Sequence, residues 1–255
     1  MGTKINSLLK ILPPGMVATA SWLHRQGFSK DLQKKYRDSE WLKSIGNGAM
    51  IRYGTTIDYS GAVAALQYQQ DMSIHPGGKT ALSFQGLMHF LDMSTNTIIL
   101  FGKRGEKLPH WFKNYNWGVN IKYYTSSFLP AHLGIKSMDT GNFAINISSP
   151  ARALMECLYL VPLEQDMEEC MDIMVGLNNI RPNEVQDLLE ACTSVKVKRL
   201  FLYMAEKCRH QWYQRLNLSK INLGSGKRSI IPEGIFIKKY GITVIKHFEN
   251  DQRGI

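Results

Sequence analysis

Between Met16 and Arg52 the spacing of apolar and polar residues changes twice, and each change marks an element. Val17, Ala20 and Leu23 recur at helical spacing, which predicts a helix over 16–26. Gly27 ends it as a C′ glycine. Ser29 suits the N-cap of a second helix over 30–37, with Leu32 and Tyr36 facing inward and Lys30, Gln33, Lys34 and Arg37 outward. The pattern then becomes that of short strands: Trp41 to Ile45 and Ala49 to Arg52 flank Asn47-Gly48, a hairpin signal. Helix, tight turn, helix and hairpin read as a winged helix-turn-helix, whose basic second helix suits the major groove. The strict helix-turn-helix spacing would put the apolar residue at 33, where Gln33 stands, and not at Leu32. A small α+β subdomain with solvated lysines is the plain alternative.

Beyond this segment the pattern predicts a larger mixed domain. Helices are expected over 61–72 and, after His75-Pro76-Gly77-Gly78, over 79–91. Strands are expected over 97–101, 119–124 and 142–147, the last two alternating at period two. Four helices follow, over 149–159, 163–176, 182–192 and 195–213; Ser149-Pro150 reads as an N-cap and first-turn pair. Short strands near 229–231, 235–237 and 242–245 close the chain. The class is α/β in the α+β sense, with the division near 54–61: a winged helix over 1–58 and a second domain over 59–255.

Charge adds a direction. The chain carries a formal +10. Residues 1–60 hold nine basic and four acidic side chains, 150–195 two and nine, and 196–255 thirteen and four. Basic ends around an acidic middle fit a polyanion partner, although the acidic block could instead pair with the basic C-terminal helix inside the fold. Thr19 and Ser29 at helix starts, with Lys43 and Arg52 in the hairpin, join Lys30, Gln33, Lys34 and Arg37 as candidate DNA contacts. Lys198 and Arg199, with Lys227 and Arg228 in the loop Gly224-Ser225-Gly226-Lys227-Arg228, are candidates for a phosphate, RNA or antitoxic contact; a plain turn is the other reading. A phosphate-binding Walker loop is rejected, because Ile221 and Arg228 replace its first glycine and its Ser/Thr.

Other chemistry is not indicated. The seven histidines are scattered, no catalytic constellation stands out, and neither a metal nor a cofactor is expected. Cys157, Cys170, Cys192 and Cys208 form no C-x-x-C pair, so buried free thiols in a reducing cytoplasm are expected. No run of 18 apolar residues is present, so no membrane span is expected. The N-terminus lacks the apolar stretch of a signal peptide, and Ser7 is one place too late for a myristoylation motif. Trp111, Trp117, Tyr123 and Tyr124 read as core rather than as a base-stacking platform.

The order of motifs resembles a known family. Trp41-Leu42-x-x-Ile45-Gly46-x-Gly48-Ala49 is similar to its wing. Gly61-Ala62-Val63-Ala64-Ala65-Leu66-Gln67, His75-Pro76-Gly77-Gly78-Lys79-Thr80-Ala81-Leu82 with Gly86-x-x-His89, Leu108-Pro109-x-Trp111-Phe112, Ser149-Pro150-x-Arg152-Ala153 and Leu223-Gly224-Ser225-Gly226-Lys227-Arg228 follow in the same order. Together they resemble the antitoxin and transcriptional repressor of AbiE-type, type IV toxin–antitoxin systems, over nearly the whole chain. Glu233-Gly234 departs from the pattern, where a second glycine is expected. The resemblance implies a winged helix that binds inverted repeats upstream of its own operon and represses it. It also implies a C-terminal antitoxin domain that counteracts a nucleotidyltransferase toxin without a stable complex, and a role in abortive infection by phage. An enzyme acting on nucleic acid, with the winged helix as an accessory, is the alternative.

Overall fold

A computed structural model describes residues 4–87 and 96–249. The N-terminal part runs α1 (Lys4–Ile11), β1 (Ala18–Thr19), α2 (Ala20–Arg25), α3 (Lys30–Asp38), β2 (Leu42–Gly46) and β3 (Ala49–Arg52). The strands form one antiparallel sheet in the order β1-β3-β2. This is the winged-helix arrangement that the pattern predicts, with one change. The first helix starts at Ala20 and not at Met16, because Ala18 and Thr19 pair with Met50 and Ala49 as a strand. Thr19 then caps α2, its hydroxyl accepting from the Trp22 amide. Leu8, Leu12, Leu23, Phe28, Tyr36, Leu42 and Met50 are all buried around these elements.

α4 (Tyr59–Gln70) follows this module and packs against β1. Asp58 caps α4, and Asp71 ends it in a left-handed conformation with φ 53°. From Ser60 to Gln67 every residue is buried, so this is a core helix and not a surface one. A Cβ on Gly61 would lie 1.9 Å from the Gly15 carbonyl oxygen; the backbone before β1 crosses α4 where only glycine fits. Gln69 donates to the Val17 carbonyl at 2.7 Å and accepts the Thr19 amide at 2.8 Å. Gln67 makes the same paired contact with the backbone of Asn146, at 2.9 and 2.8 Å.

The remaining elements are β4 (His75–Pro76), α5 (Gly78–Phe84), β5 (Thr97–Lys103), α6 (His110–Asn114), β6 (Asn120–Ser126), β7 (Ile135–Asp139), β8 (Ala144–Ser148), α7 (Pro150–Leu160), α8 (Met167–Gly176), α9 (Pro182–Ala191), α10 (Val195–Lys207), β9 (Ile235–Ile237) and β10 (Ile242–Val244). The sheets are β4-β5-β6, β7-β8 and β9-β10. α5 ends at Phe84, and the last residues of the helix expected to 91, with His89, lie outside the described residues. α10 stops at Lys207, six residues short of expectation, where Arg209 turns left-handed. The strand expected near 229–231 is only a bridge between Arg228 and Ile242. Glu233 takes φ 55°, the left-handed backbone that a glycine at the departure from the family pattern would adopt more easily.

Two compact units emerge: residues 1–75, 96–125 and 137–147 form one, and 76–95, 126–136 and 148–255 the other. The loop 54–61 lies inside the first, so the packing does not divide the chain at 58/59. The four cysteines are free and buried. Among the described residues no helix is long and apolar enough to cross a membrane.

Candidate nucleic-acid interface

α3 turns one face outward. Ser29 caps it by accepting from the Leu32 amide. Lys30 and Lys34 are exposed, as is Lys43 on β2. Asn47-Gly48 makes the hairpin turn, with Gly48 at φ 83°. Behind the wing, α6 packs so closely that a Cβ on Gly46 would lie 3.0 Å from that of Trp111. Trp111 and Phe112 are buried, and Trp117 donates to the Phe112 carbonyl at 2.7 Å. Trp111 is core, as expected, whereas Trp117, Tyr123 and Tyr124 are only half-buried.

Gln33 requires a correction. It faces inward, 2 % exposed, and donates to the carbonyls of Phe28 at 2.8 Å and Ala20 at 3.1 Å. The strict helix-turn-helix spacing therefore holds, with an amide at the inward position in place of an apolar residue. The Phe28 carbonyl in the helix–helix turn and the Ala20 carbonyl at the start of α2 each receive a donor from Gln33 on the next helix. Leu32 is only half-buried. Arg37 is half-buried, with Nη1 3.4 Å from the Met50 sulfur. Thr19 is buried, with its hydroxyl taken by the cap. Arg52 is half-buried and donates to the Leu9 carbonyl; desolvation lowers its pKa. Of the eight expected DNA contacts, Lys30, Lys34, Lys43 and Ser29 reach the surface freely, Arg37 in part, while Thr19, Gln33 and Arg52 hold the module together.

The C-terminal candidates divide in the same way. Lys198 and Arg199 are both 5 % exposed, against the expectation of an outward basic face. α10 is buried from Val197 to Ala205, so no side of it is left for water. The Arg199 guanidinium donates to the carbonyls of Gly226 at 2.7 Å, Leu223 at 2.8 Å, Gly241 at 3.1 Å and Gly224 at 3.2 Å. Burial lowers its pKa, and the charge of Arg228 adds to the effect. Lys227 and Arg228 are exposed.

The motifs that carry the family resemblance meet elsewhere in this unit. Glu156, fully buried, accepts from the Gly78 amide at 2.9 Å, the Ser148 hydroxyl at 2.8 Å and Arg152 Nε at 2.9 Å. Arg152 also donates to the carbonyls of Pro130 and Leu133. This is a buried charge pair whose remaining atoms are satisfied, as burial demands. The Gly78 amide is thereby engaged, and the Gly-Gly-Lys segment is structural. Among the described residues, no group of His, Cys, Asp and Glu is placed to hold a metal ion.

The family model described as the AbiEi antitoxin N-terminal domain of a transcriptional regulator matches residues 1–93, and that described as a transcriptional regulator, AbiEi antitoxin of a type IV toxin–antitoxin system, matches 95–245. The chain belongs to the AbiEi antitoxin family of transcriptional regulators. No curated protein matches it. Its fold is similar to that in the crystal structure of the RV2827C protein from Mycobacterium tuberculosis, with TM-score 0.56 at 13 % identity over 94 % of this chain and 89 % of that one. Membership was legible from motif order. The burial of Gln33 and Arg199 was not, because neither residue type announces an inward position.

Proposed function

We propose that this AbiEi-family regulator represses its own operon by binding upstream inverted repeats through residues 1–58, and that residues 59–255 counteract a nucleotidyltransferase toxin encoded beside it, without forming a stable complex with the toxin. It acts by occupancy and not as an enzyme, in the cytoplasm, and serves abortive infection by phage. The observation that supports this most is α3. Its register is fixed by the buried Gln33 amide, and that register presents Lys30 and Lys34 outward, one turn apart. Arg37 continues the same stripe. Ser29 at the helix start and Lys43 on the wing add contacts to the phosphates on either side.

The test separates the two activities in the full chain. A Lys30→Ala/Lys34→Ala variant should bind the upstream DNA about tenfold more weakly or worse in a gel shift, with a flatter salt dependence. It should still protect cells that express the cognate toxin. Unchanged operator affinity would sink the DNA-binding placement; lost protection in a folded variant would sink the separation.

A further inference from the structure

We propose that the loop 223–228 and the β9–β10 hairpin form a binding site for single-stranded RNA, with phosphates on Lys227 and Arg228 and a base on Phe236. Arg199 is the starting point. All four carbonyls it engages come from this loop and from the Gly241 turn, so one buried cation sets the shape of the whole region. In a trans peptide the N–H points opposite to the C=O. Drawing the Gly224 and Gly226 carbonyls toward Arg199 therefore turns the amides of Ser225 and Lys227 away from it. Gly224 and Gly226 take φ 62° and 76°, and a Cβ on Gly224 would meet the Val195 side chain at 2.8 Å. The loop is built, and what it presents outward is positive.

The neighbouring surface adds the aromatic part. Arg228 exchanges backbone hydrogen bonds with β10, donating to the Gly241 carbonyl at 2.8 Å and accepting the Thr243 amide at 3.0 Å. On the other side of β10, Thr243 pairs with Phe236. Lys227 reaches across this ribbon, its Nζ 5.1 Å from the centre of the Phe236 ring. Phe236 and Ile235 are 40 % and 39 % exposed. An exposed ring beside the Lys227 cation, with Arg228 next along the chain, matches the chemistry of a single strand, in which an unstacked base finds an aromatic face and its phosphate finds a charge. A duplex keeps its bases stacked and offers Phe236 nothing. Unpaired bases are the ordinary state of RNA loops and ends, and the exposed Ser225 and Ser229 hydroxyls beside the cations suit a ribose 2′-hydroxyl.

The full chain would be titrated against labelled oligouridylate by fluorescence anisotropy, with duplex RNA and oligothymidylate of the same length in parallel. The single-stranded RNA should bind best. Lys227→Ala/Arg228→Ala should weaken binding at least tenfold and flatten its salt dependence. Phe236→Leu, which keeps an apolar side chain without a ring, should weaken it roughly tenfold, the size of one lost base stack. Lys30→Ala/Lys34→Ala should leave it unchanged, which separates this site from the operator surface whatever becomes of the operator reading. Duplex RNA or oligothymidylate bound as tightly as oligouridylate, wild-type affinity in Phe236→Leu, or loss of binding in the α3 variant would each overturn the assignment.

Discussion

α3 and α10 begin alike and end in opposite roles. Each follows a serine that caps it, Ser29 and Ser194, and each carries basic residues in its first turns, where the positive end of the helix dipole makes cations unwelcome. α3 lies at the surface. Its lysines stay in water and its one inward polar side chain, Gln33, is neutral. α10 is enclosed. Lys196 donates to the Tyr159 and Val161 carbonyls at 2.7 and 2.6 Å, and Arg199 gathers four more. A cation on an open helix is available to a partner; on an enclosed helix it becomes a fastener for the protein's own carbonyls. The lesson is that the charge of a segment does not measure the charge of a surface.

The comparison breaks most readily at Arg199. Replacing it with alanine strands four carbonyls and should lower stability by about 2–4 kcal/mol. Lys30→Ala should change stability by no more than about 0.5 kcal/mol. Urea unfolding of both variants measures the contrast, and equal midpoints would erase it. Gln33→Ala comes next. It removes the donor for the Phe28 carbonyl in the turn and for the Ala20 carbonyl at the start of α2 and should cost about 1–3 kcal/mol. It should also weaken operator binding, because the register of α3 is no longer held. Thermal unfolding and a gel shift on the same preparation show whether the two losses go together; a Gln33→Ala chain of full stability that binds DNA poorly would restore Gln33 to the groove face.

The smallest effect concerns pH. Burial pushes the His210 pKa below its ordinary 6.5, with Nε2 2.7 Å from the Met174 carbonyl oxygen and the ring stacked on Trp212. The unfolded ring takes a proton below about 6.5 while the folded one still resists it, so unfolding gains protons as the pH falls. The neutral ring's contribution is complete above that value and declines below it. The stability difference between wild type and His210→Gln should therefore narrow from about pH 7.5 to about pH 5.5, and a constant gap in urea unfolding would show that His210 does not titrate differently on folding.

Much of the fold was legible where a local rule decides it. Asn47-Gly48 marks the wing and Ser149-Pro150 the start of α7. The strand β7 is not among the expected elements, although Gly141-Asn142 follows it as a turn signal. Three of the inward residues share a cause. Gln33, Arg52 and Arg199 are polar, and polarity places a residue outside unless a carbonyl of the protein needs it. That need arises only when distant segments meet: Ala20 with α3, Leu9 with β3, Gly241 with α10. The candidate surface was read through residue type, and the tertiary demand for donors removed part of it.

Gln67 and Gln69 have a consequence beyond the joining of α4 to its neighbours. β1 is the outer strand of its sheet, and β8 belongs to a two-stranded ribbon. Such margins offer free N–H and C=O groups that another chain can use to extend the sheet. Here each margin meets a carboxamide carried by a helix, which donates and accepts as a peptide would, yet has no further edge to offer. The growing end of an intermolecular sheet is thus capped at Val17–Thr19 and at Asn146 by two amides two residues apart, and the same contacts that hold the fold together keep one molecule from templating the next.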